Sequence, residues 1–325
     1  MGFILCDVNK MEVQDLPEDV SVDFDIGDEN DVEISCGRGL LSMGMWIIYP
    51  GTEYGALMEE TTQNTNSTDE TWKGNGLRKF LQQTIIEPPD GQDYLTVSGD
   101  AHDIMRSIMS SRFDGLFEVP NTPSGIQVGS YKFERYTDAL TGFSKMLKTK
   151  NARISIEIRQ GGSNERFSII LSAVPIQNLS QEIEFSEDSK INVQIKEYNR
   201  GINHLICLGS GELKNRQVID LYIQFDGSVG SRQYYTGLNE RTAIYDYSNA
   251  EDYEDLIEKG TEELEKLASY KKMTMSVQGD EMQIGDIIAG RNYETGLYMQ
   301  KPIIRKIVAV SSGSMSIEYK VEGED

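Results

Sequence analysis

Histidine, tryptophan and cysteine are scarce in this chain: two, two and three residues among 325. Two histidines, His102 and His204, argue against most hydrolase triads and zinc sites. The cysteines, Cys6, Cys36 and Cys207, are widely separated and odd in number. That excludes a disulfide framework and a zinc-ligand pattern and fits reduced thiols in an intracellular compartment. Basic residues are also short, with Lys+Arg 31 against Asp+Glu 53 and a net charge of −22. Such a surface repels phosphate polymers and anionic membranes, so charge-driven nucleic-acid binding is excluded unless the polymer must pass without sticking. Solubility alone explains the acidity equally well. No apolar run reaches the length of a membrane helix. The start, MGFILCDVNK, has neither the charged region nor the sustained apolar core of a signal peptide. It opens with Met-Gly, but Cys6 stands where a myristoylation pattern needs Ser or Thr. Solenoid repeats and long disordered linkers are missing too.

What is present is alternation. VSVDFDI places Val20, Val22, Phe24 and Ile26 on one face and Ser21, Asp23 and Asp25 on the other. ARISIEIR repeats this with Ile154, Ile156 and Ile158, and KINVQIKE with Ile191, Val193 and Ile195. MSIEYKV does so with Met315, Ile317, Tyr319 and Val321. One dry and one wet face is the mark of antiparallel sheets and small barrels. At 325 residues the chain is long enough for two or three cores.

Three segments carry helical spacing instead. DAHDIMRSIMSS aligns Ala101, Ile104, Met105, Ile108 and Met109 behind an Asp100 N-cap, with His102 in the first turn facing solvent. TDALTGFSKMLK groups Ala139, Leu140, Phe143 and Leu147 behind Thr137. SNAEDYEDLIEKGTEELEKLAS opens with a Ser248–Glu251 capping box. Its stripe is Tyr253, Leu256, Ile257, Gly260, Leu264 and Leu267. TTQNTNSTDET (61–71) reads as a strand–turn–strand tip, EPPDGQD (87–93) as a tight turn into a strand, and GGSNE (161–165) as a strand connection.

The stretch CLGSGEL, beside His204, invites a chemical reading. A dinucleotide fingerprint needs a third glycine and a following helix. Here Lys214 and Asn215 follow, and VIDLYIQF alternates as a strand. No G-K-[ST] completes a P-loop. The expectation is a connection between two antiparallel strands. Cys207 and His204, three apart on a strand, point to opposite faces and form no nucleophile pair. Cys207 shares its face with Leu205 and reads as a small core residue. The acidic run DFDIGDENDVE (23–33) misses the EF-hand pattern, because Gly27 and Asp28 fall where an oxygen ligand and the glycine belong. A divalent cation on Asp25, Asp28 and Asp31, or a solvated turn, both remain open. Nothing selects a glycosidase carboxylate pair. Trp46 and Trp72 lie on strand-like stretches and are expected in the core. No catalytic, cofactor or metal residue is therefore assigned.

Several stretches together resemble the phage tail-tip or baseplate hub family, of the tail-associated-lysin N-terminal type from phages and prophages of Gram-positive hosts. They are DIGDENDVEI (25–34), YPGTEYGALME (49–59), IIEPPDGQDYLTVSGDAHDI (85–104) and NHLICLGSGELKNRQVIDLYI (203–223). AIYDYSNAEDYEDLIEKG (243–260) and GDIIAGRNYETGLYMQKPIIRKI (285–307) complete the set. The resemblance implies a β-rich α+β fold with two small antiparallel β-barrels and α+β insertions. The first barrel would use 1–98 plus 190–240, the insertion 99–189, a helical connection 241–271, and the second barrel 272–325. CLGSGEL would then be a strand junction completing the first barrel.

The implied function is a homotrimeric hub. Two barrels in each of three chains would meet a sixfold distal-tail or tail-tube protein on one side and a threefold tip, spike or fibre on the other. The ring would be a conduit for the tape-measure protein and for DNA in passage during ejection and host attachment. Assembly would occur in the host cytoplasm and the mature location would be the virion tail. Asp23 and Asp25 are the candidate lumen-facing carboxylates. The chain stops at VEGED, where many members continue into a lytic or receptor-binding extension, so the expectation is a structural protein and no enzyme. Two rival classes remain: a stand-alone β-rich binding module for a cell-surface glycan or protein, which would need an exposed aromatic cluster, and a cell-wall hydrolase.

Overall fold

The computed structural model describes residues 2–110, 112–161, 165–179, 184–185, 192–197, 201–225, 227–248, 250, 252–268, 271–277, 282–291 and 298–321. The chain divides into two compact units, one of Met1–Val193 with Thr274–Glu322 and one of Gln194–Met273.

The first unit begins with strands β1 (Ile4–Cys6), β2 (Glu12–Asp15), β3 (Ser21–Ile26), β4 (Asp31–Gly37), β5 (Trp46–Ile48), β6 (Gly55–Gln63) and β7 (Asp69–Gly76). Alternation decides the faces as read: Val20, Val22, Phe24 and Ile26 are buried, whereas Ser21 and Asp23 are exposed. β6 and β7 form an antiparallel hairpin whose tip falls inside 61–71. Helix α1 (Leu77–Gln82) continues directly from β7. At six residues it is too short for a helical period to emerge from the sequence. Both tryptophans are buried. Trp46 stacks on Phe80 at 5.9 Å and meets Phe167 edge-on at 5.5 Å, and the Trp72 indole donates to Glu70 at 2.9 Å.

The chain continues through β8 (Thr96–Asp100), α2 (Ala101–Met109), β9 (Phe117–Glu118), β10 (Gln127–Lys132), α3 (Ala139–Lys148), β11 (Ala152–Arg159) and β12 (Ser168–Pro175). Asp100 caps α2, accepting from the His102 backbone N–H at 2.9 Å. His102 itself is buried, against the expectation of a solvent-facing ring, because its Nδ1 lies 2.8 Å from the Thr122 carbonyl. The cap of α3 is Asp138, one residue later than the Thr137 read from the sequence. Ala101, Met105, Phe143 and Ile158 share one core with Ile4, Trp46 and Ile48 of the N-terminal strands. Residues 99–175 therefore do not close a core of their own. β11 and β12 pair antiparallel from Ala152↔Pro175 to Arg159↔Ser168. Part of the connecting stretch (162–164) lies outside the described residues.

Two further strands follow, β13 (Glu184–Phe185) and β14 (Asn192–Glu197), the latter crossing from the first unit into the second. Ile191 of the KINVQIKE reading falls outside the described residues, as do the side chains of Val193 and Ile195. The second unit holds β15 (His204–Leu208), β16 (Val218–Ile223), β17 (Val229–Gly230), β18 (Thr242–Asp246) and α4 (Tyr253–Ala268). Its sheet order is β17-β16-β15-β18, with β15–β18 parallel and the other pairs antiparallel. CLGSGEL is the connection between antiparallel β15 and β16, and Gly211 turns the chain there at φ +100°. α4 covers one face through Leu256, Gly260 and Leu264. Tyr253, Ile257 and Leu267, read as part of that stripe, stay exposed at its margins. Asp252 caps this helix, accepting from the Glu254 and Asp255 N–H groups at 2.9 Å each. Glu251 of the expected capping box is not among the described residues.

The chain returns as β19 (Lys271–Val277), β20 (Ile287–Arg291), β21 (Tyr298–Ser311) and β22 (Ser314–Val321). The large sheet runs β14-β19-β22-β21-β3-β4-β7-β6-β5-β1-β2, with β20 pairing β21 and β13. It curls strongly into a half-barrel. The reading from sequence differs here. It grouped strands of 190–240 with the N-terminal barrel, whereas β15–β18 pair among themselves and the ladder partner of β3 is β21, from Lys306↔Ile26 to Val310↔Val22. Alternation assigns a strand's two faces but is blind to its neighbours. Among the described residues no helix is long and apolar enough to cross a membrane.

Candidate functional site

The wet face of the large sheet gathers the charge. Asp23 and Asp25 on β3 stand opposite Glu33 and Asp31 on β4, and Glu33 stands opposite Lys73 on β7. On the other side of β3, β21 contributes Arg305 and Ile307, and these seven residues line one open depression. Like charges directly opposite on neighbouring strands repel. Burial, and then Asp25, Glu33 and Asp31, push the Asp23 carboxyl above the usual carboxylate range.

Arg305 offsets part of this repulsion. Its Nε and Nη2 meet the two Asp25 oxygens at 3.0 and 2.5 Å, and Nη1 reaches Asp28 at 3.0 Å. In this bidentate fork a guanidinium bridges Asp25 and Asp28. Among the described residues no group of His, Cys, Asp or Glu is placed to hold a metal. Lys73 reaches Glu33 at 3.5 Å with both side chains exposed, a weak pair. Four carboxylates with two partial counter-charges leave a negative surface on a rigid sheet.

A small, partly open cavity touches both Asp25 and Glu53. Glu53 accepts from Arg78 Nε at 2.7 Å and faces Lys306 Nζ at 2.8 Å, with all three side chains buried. Lys306 also donates to Gln283 at 3.0 Å and lies 5.0 Å from the Tyr54 ring centroid. Burial would push the Glu53 carboxyl up, but Arg78 and Lys306 outweigh it and hold it at about 2. A second pair joins the half-buried Arg153 to the buried Asp286 at 2.7 and 3.0 Å. Sequence reading missed both. Lys306 is turned inward by a register shift between Ile303 and Arg305, which breaks the simple alternation.

The remaining candidates separate as their spacing predicts. Cys207 is buried against α4, and burial pushes its thiol up to about 11. Cys6 and Cys36 are likewise buried, with thiols raised to about 12 and about 11, chiefly by burial. Such thiols are poor nucleophiles. His204 faces the opposite side of β15, between Asp220 at 2.7 Å and Glu240 at 3.0 Å, and stacks on Tyr222 at 4.4 Å.

No family profile and no curated protein matches this sequence. Solved structures do. A 43 kDa tail protein of prophage MuSo2 from Shewanella oneidensis superposes with a TM-score of 0.55 at 11% identity, covering 99% of this chain and 98% of that one. A tail protein from Neisseria meningitidis gives 0.53 at 13% identity, over 100% and 97%. A prophage tail protein from Listeria monocytogenes gives 0.51 at 13% identity, over 100% and 96%. The fold is that of phage tail proteins, from end to end.

Proposed function

We propose that this chain is a structural hub of a phage tail tip or baseplate, acting as a homotrimer. The observation that carries the reading is the near-complete, two-way coverage of three tail proteins by one fold. In this reading the one curled sheet that β1–β7 and β20–β22 share would present two barrel-like walls per chain, six per trimer. They would meet a sixfold distal-tail or tube protein on one side and a threefold tip, spike or fibre on the other. The tape-measure protein and DNA would pass through the ring. The carboxylates of β3 and β4, Asp23 and Asp25 among them, would face the lumen and keep phosphates from binding. The role is mechanical, without catalysis, which agrees with buried, raised thiols and with Arg305 occupying the acidic turn.

The test is the native mass and electron-microscopic outline of the purified chain, alone and mixed with a tail-tube protein. Three copies around an open centre with six lobes are expected. A chain that stays monomeric in both conditions overturns the hub. Clearing of a cell-wall suspension by the pure chain overturns the non-catalytic reading.

A further inference from the structure

Lys306 places a buried amine against two groups that differ in kind. It lies on β21, opposite Ile26 of β3 and Tyr319 of β22, and is fully buried. One of its neighbours is the Gln283 carboxamide, whose Oε1 accepts from Lys306 Nζ at 3.0 Å. The other is the Glu53 carboxylate, whose Oε1 lies 2.8 Å from the same nitrogen. Arg78 Nε donates to the other carboxylate oxygen, Oε2, at 2.7 Å and so fixes how Glu53 faces the lysine. Gln283 is half-buried, and the Tyr54 ring lies 5.0 Å from Nζ at its centroid. The backbone around Gln283 is pinned as well. Its carbonyl accepts from the Asp286 N–H at 3.0 Å, the Met282 N–H donates to the Tyr319 hydroxyl at 2.9 Å, and the Gly285 N–H donates to the Ile303 carbonyl at 2.7 Å.

An amine, a carboxamide and a carboxylate held together are the components of an amide exchange. We propose that Lys306 and Gln283 join through an isopeptide bond, with Glu53 relaying the protons. The Nζ–Cδ bond forms and the Cδ–Nε2 bond of Gln283 breaks. The Lys306 ammonium gives up two protons, Glu53 passes them to Nε2, and ammonium leaves, so no oxidant or further reactant is consumed. Glu53 Oε1 stands within the reach a general base needs. Groups fixed in reacting geometry behave as if at concentrations of about 10⁵ M or more, which lets an amide that is otherwise inert to amines react. Arg78 and Lys306 make Glu53 a weak base, so the reaction is one slow event per molecule and not a turnover. The structure describes the pair before the bond forms. The bond fastens the turn before β20 to β21, the strand that pairs with β3, and so braces the large sheet where its N-terminal and C-terminal strands meet.

The experiment is mass spectrometry of the full chain, freshly purified and after days at neutral and at mildly alkaline pH. The chain is expected to become lighter by one ammonia. Trypsin should then release peptides 273–291 and 306–320 joined through Gln283 and Lys306, because an acylated lysine is not cleaved. Gln283→Ala, at a half-buried position, keeps the Lys306–Glu53 pair and should lose no ammonia. Glu53→Gln, checked for folding by circular dichroism, should form the bond about 100-fold more slowly. Wild-type peptides 273–291 and 306–320 recovered only separately at every pH overturn the inference. An equal loss of ammonia from Gln283→Ala also overturns it. Equal rates in wild type and Glu53→Gln overturn the proton relay.

Discussion

Glu53 shows what a single carboxylate does when two cations enclose it in the core. Its folded pKa of about 2, against an ordinary 4.5, corresponds to about 3 kcal/mol of stability. The pKa is depressed in the folded state, so this contribution is complete above the ordinary carboxylate range and is lost as pH falls from about 4.5 toward about 2. Glu53→Gln leaves Arg78 and Lys306 buried without their counter-charge and is expected to cost about 3–5 kcal/mol in denaturant unfolding at neutral pH. The variant's stability should also fall less steeply with acid than that of wild type. An unchanged midpoint would mean that the two cations find other partners. None of this was legible in YPGTEYGALME, because the partners lie 25 and 253 positions away in sequence. The wet-face placement of Asp23 and Asp25 was legible, since alternation alone fixes it. Arg305, 280 positions from Asp25, was not.

Elements reveal themselves where the chemistry is local. The start of α2 was readable because an N-cap acts within a few residues, and Asp100 goes further by binding the loop at Ser124 and Gly125. Burial pushes its carboxyl up, but the donors from Ser124, His102 and Gly125 prevail and lower it. Asp100→Ala, which removes a cap and a loop anchor together, is expected to cost about 2 kcal/mol. Asp252→Ala, a cap alone, should cost about 1 kcal/mol. Equal costs in thermal unfolding would show that the loop contacts add nothing. Packing between elements was not readable. Gly260 sits mid-helix because a Cβ there would lie 2.5 Å from Cys207 Sγ and 2.8 Å from Leu221. Gly260→Ala is therefore expected to destabilise by about 1–3 kcal/mol despite its better helix propensity. Cys207→Ala in the same chain should recover part of that loss, a coupling that a double-mutant cycle measures. Cys207→Ser alone, which buries a hydroxyl, should cost about 1–2 kcal/mol.

At the scale of the whole molecule, strand partnership organises everything and is what sequence periodicity conceals. MSIEYKV and VSVDFDI each announce a half-buried strand, yet nothing in either says that β21 lies between them in one sheet. A C-terminal barrel that folds separately would be removable. The observed ladder says otherwise. Deleting residues 272–325 takes β21 from β3, Arg305 from Asp25, Lys306 from Glu53 and Asp286 from Arg153. The buried Glu53 and the half-buried Arg153 would each lose a counter-charge at once, and the edge of β3 would be left open with Val22 and Phe24 beneath it. The truncated chain is therefore expected to lose the cooperative unfolding and the near-ultraviolet dichroism of the first unit. The helix and sheet of 204–268, whose core of Leu205, Cys207, Leu221, Leu256 and Leu264 is self-contained, should keep their protease resistance. A truncated chain whose first unit unfolds cooperatively near the wild-type midpoint would show that the C-terminal strands are an addition to the N-terminal sheet and not part of its structure.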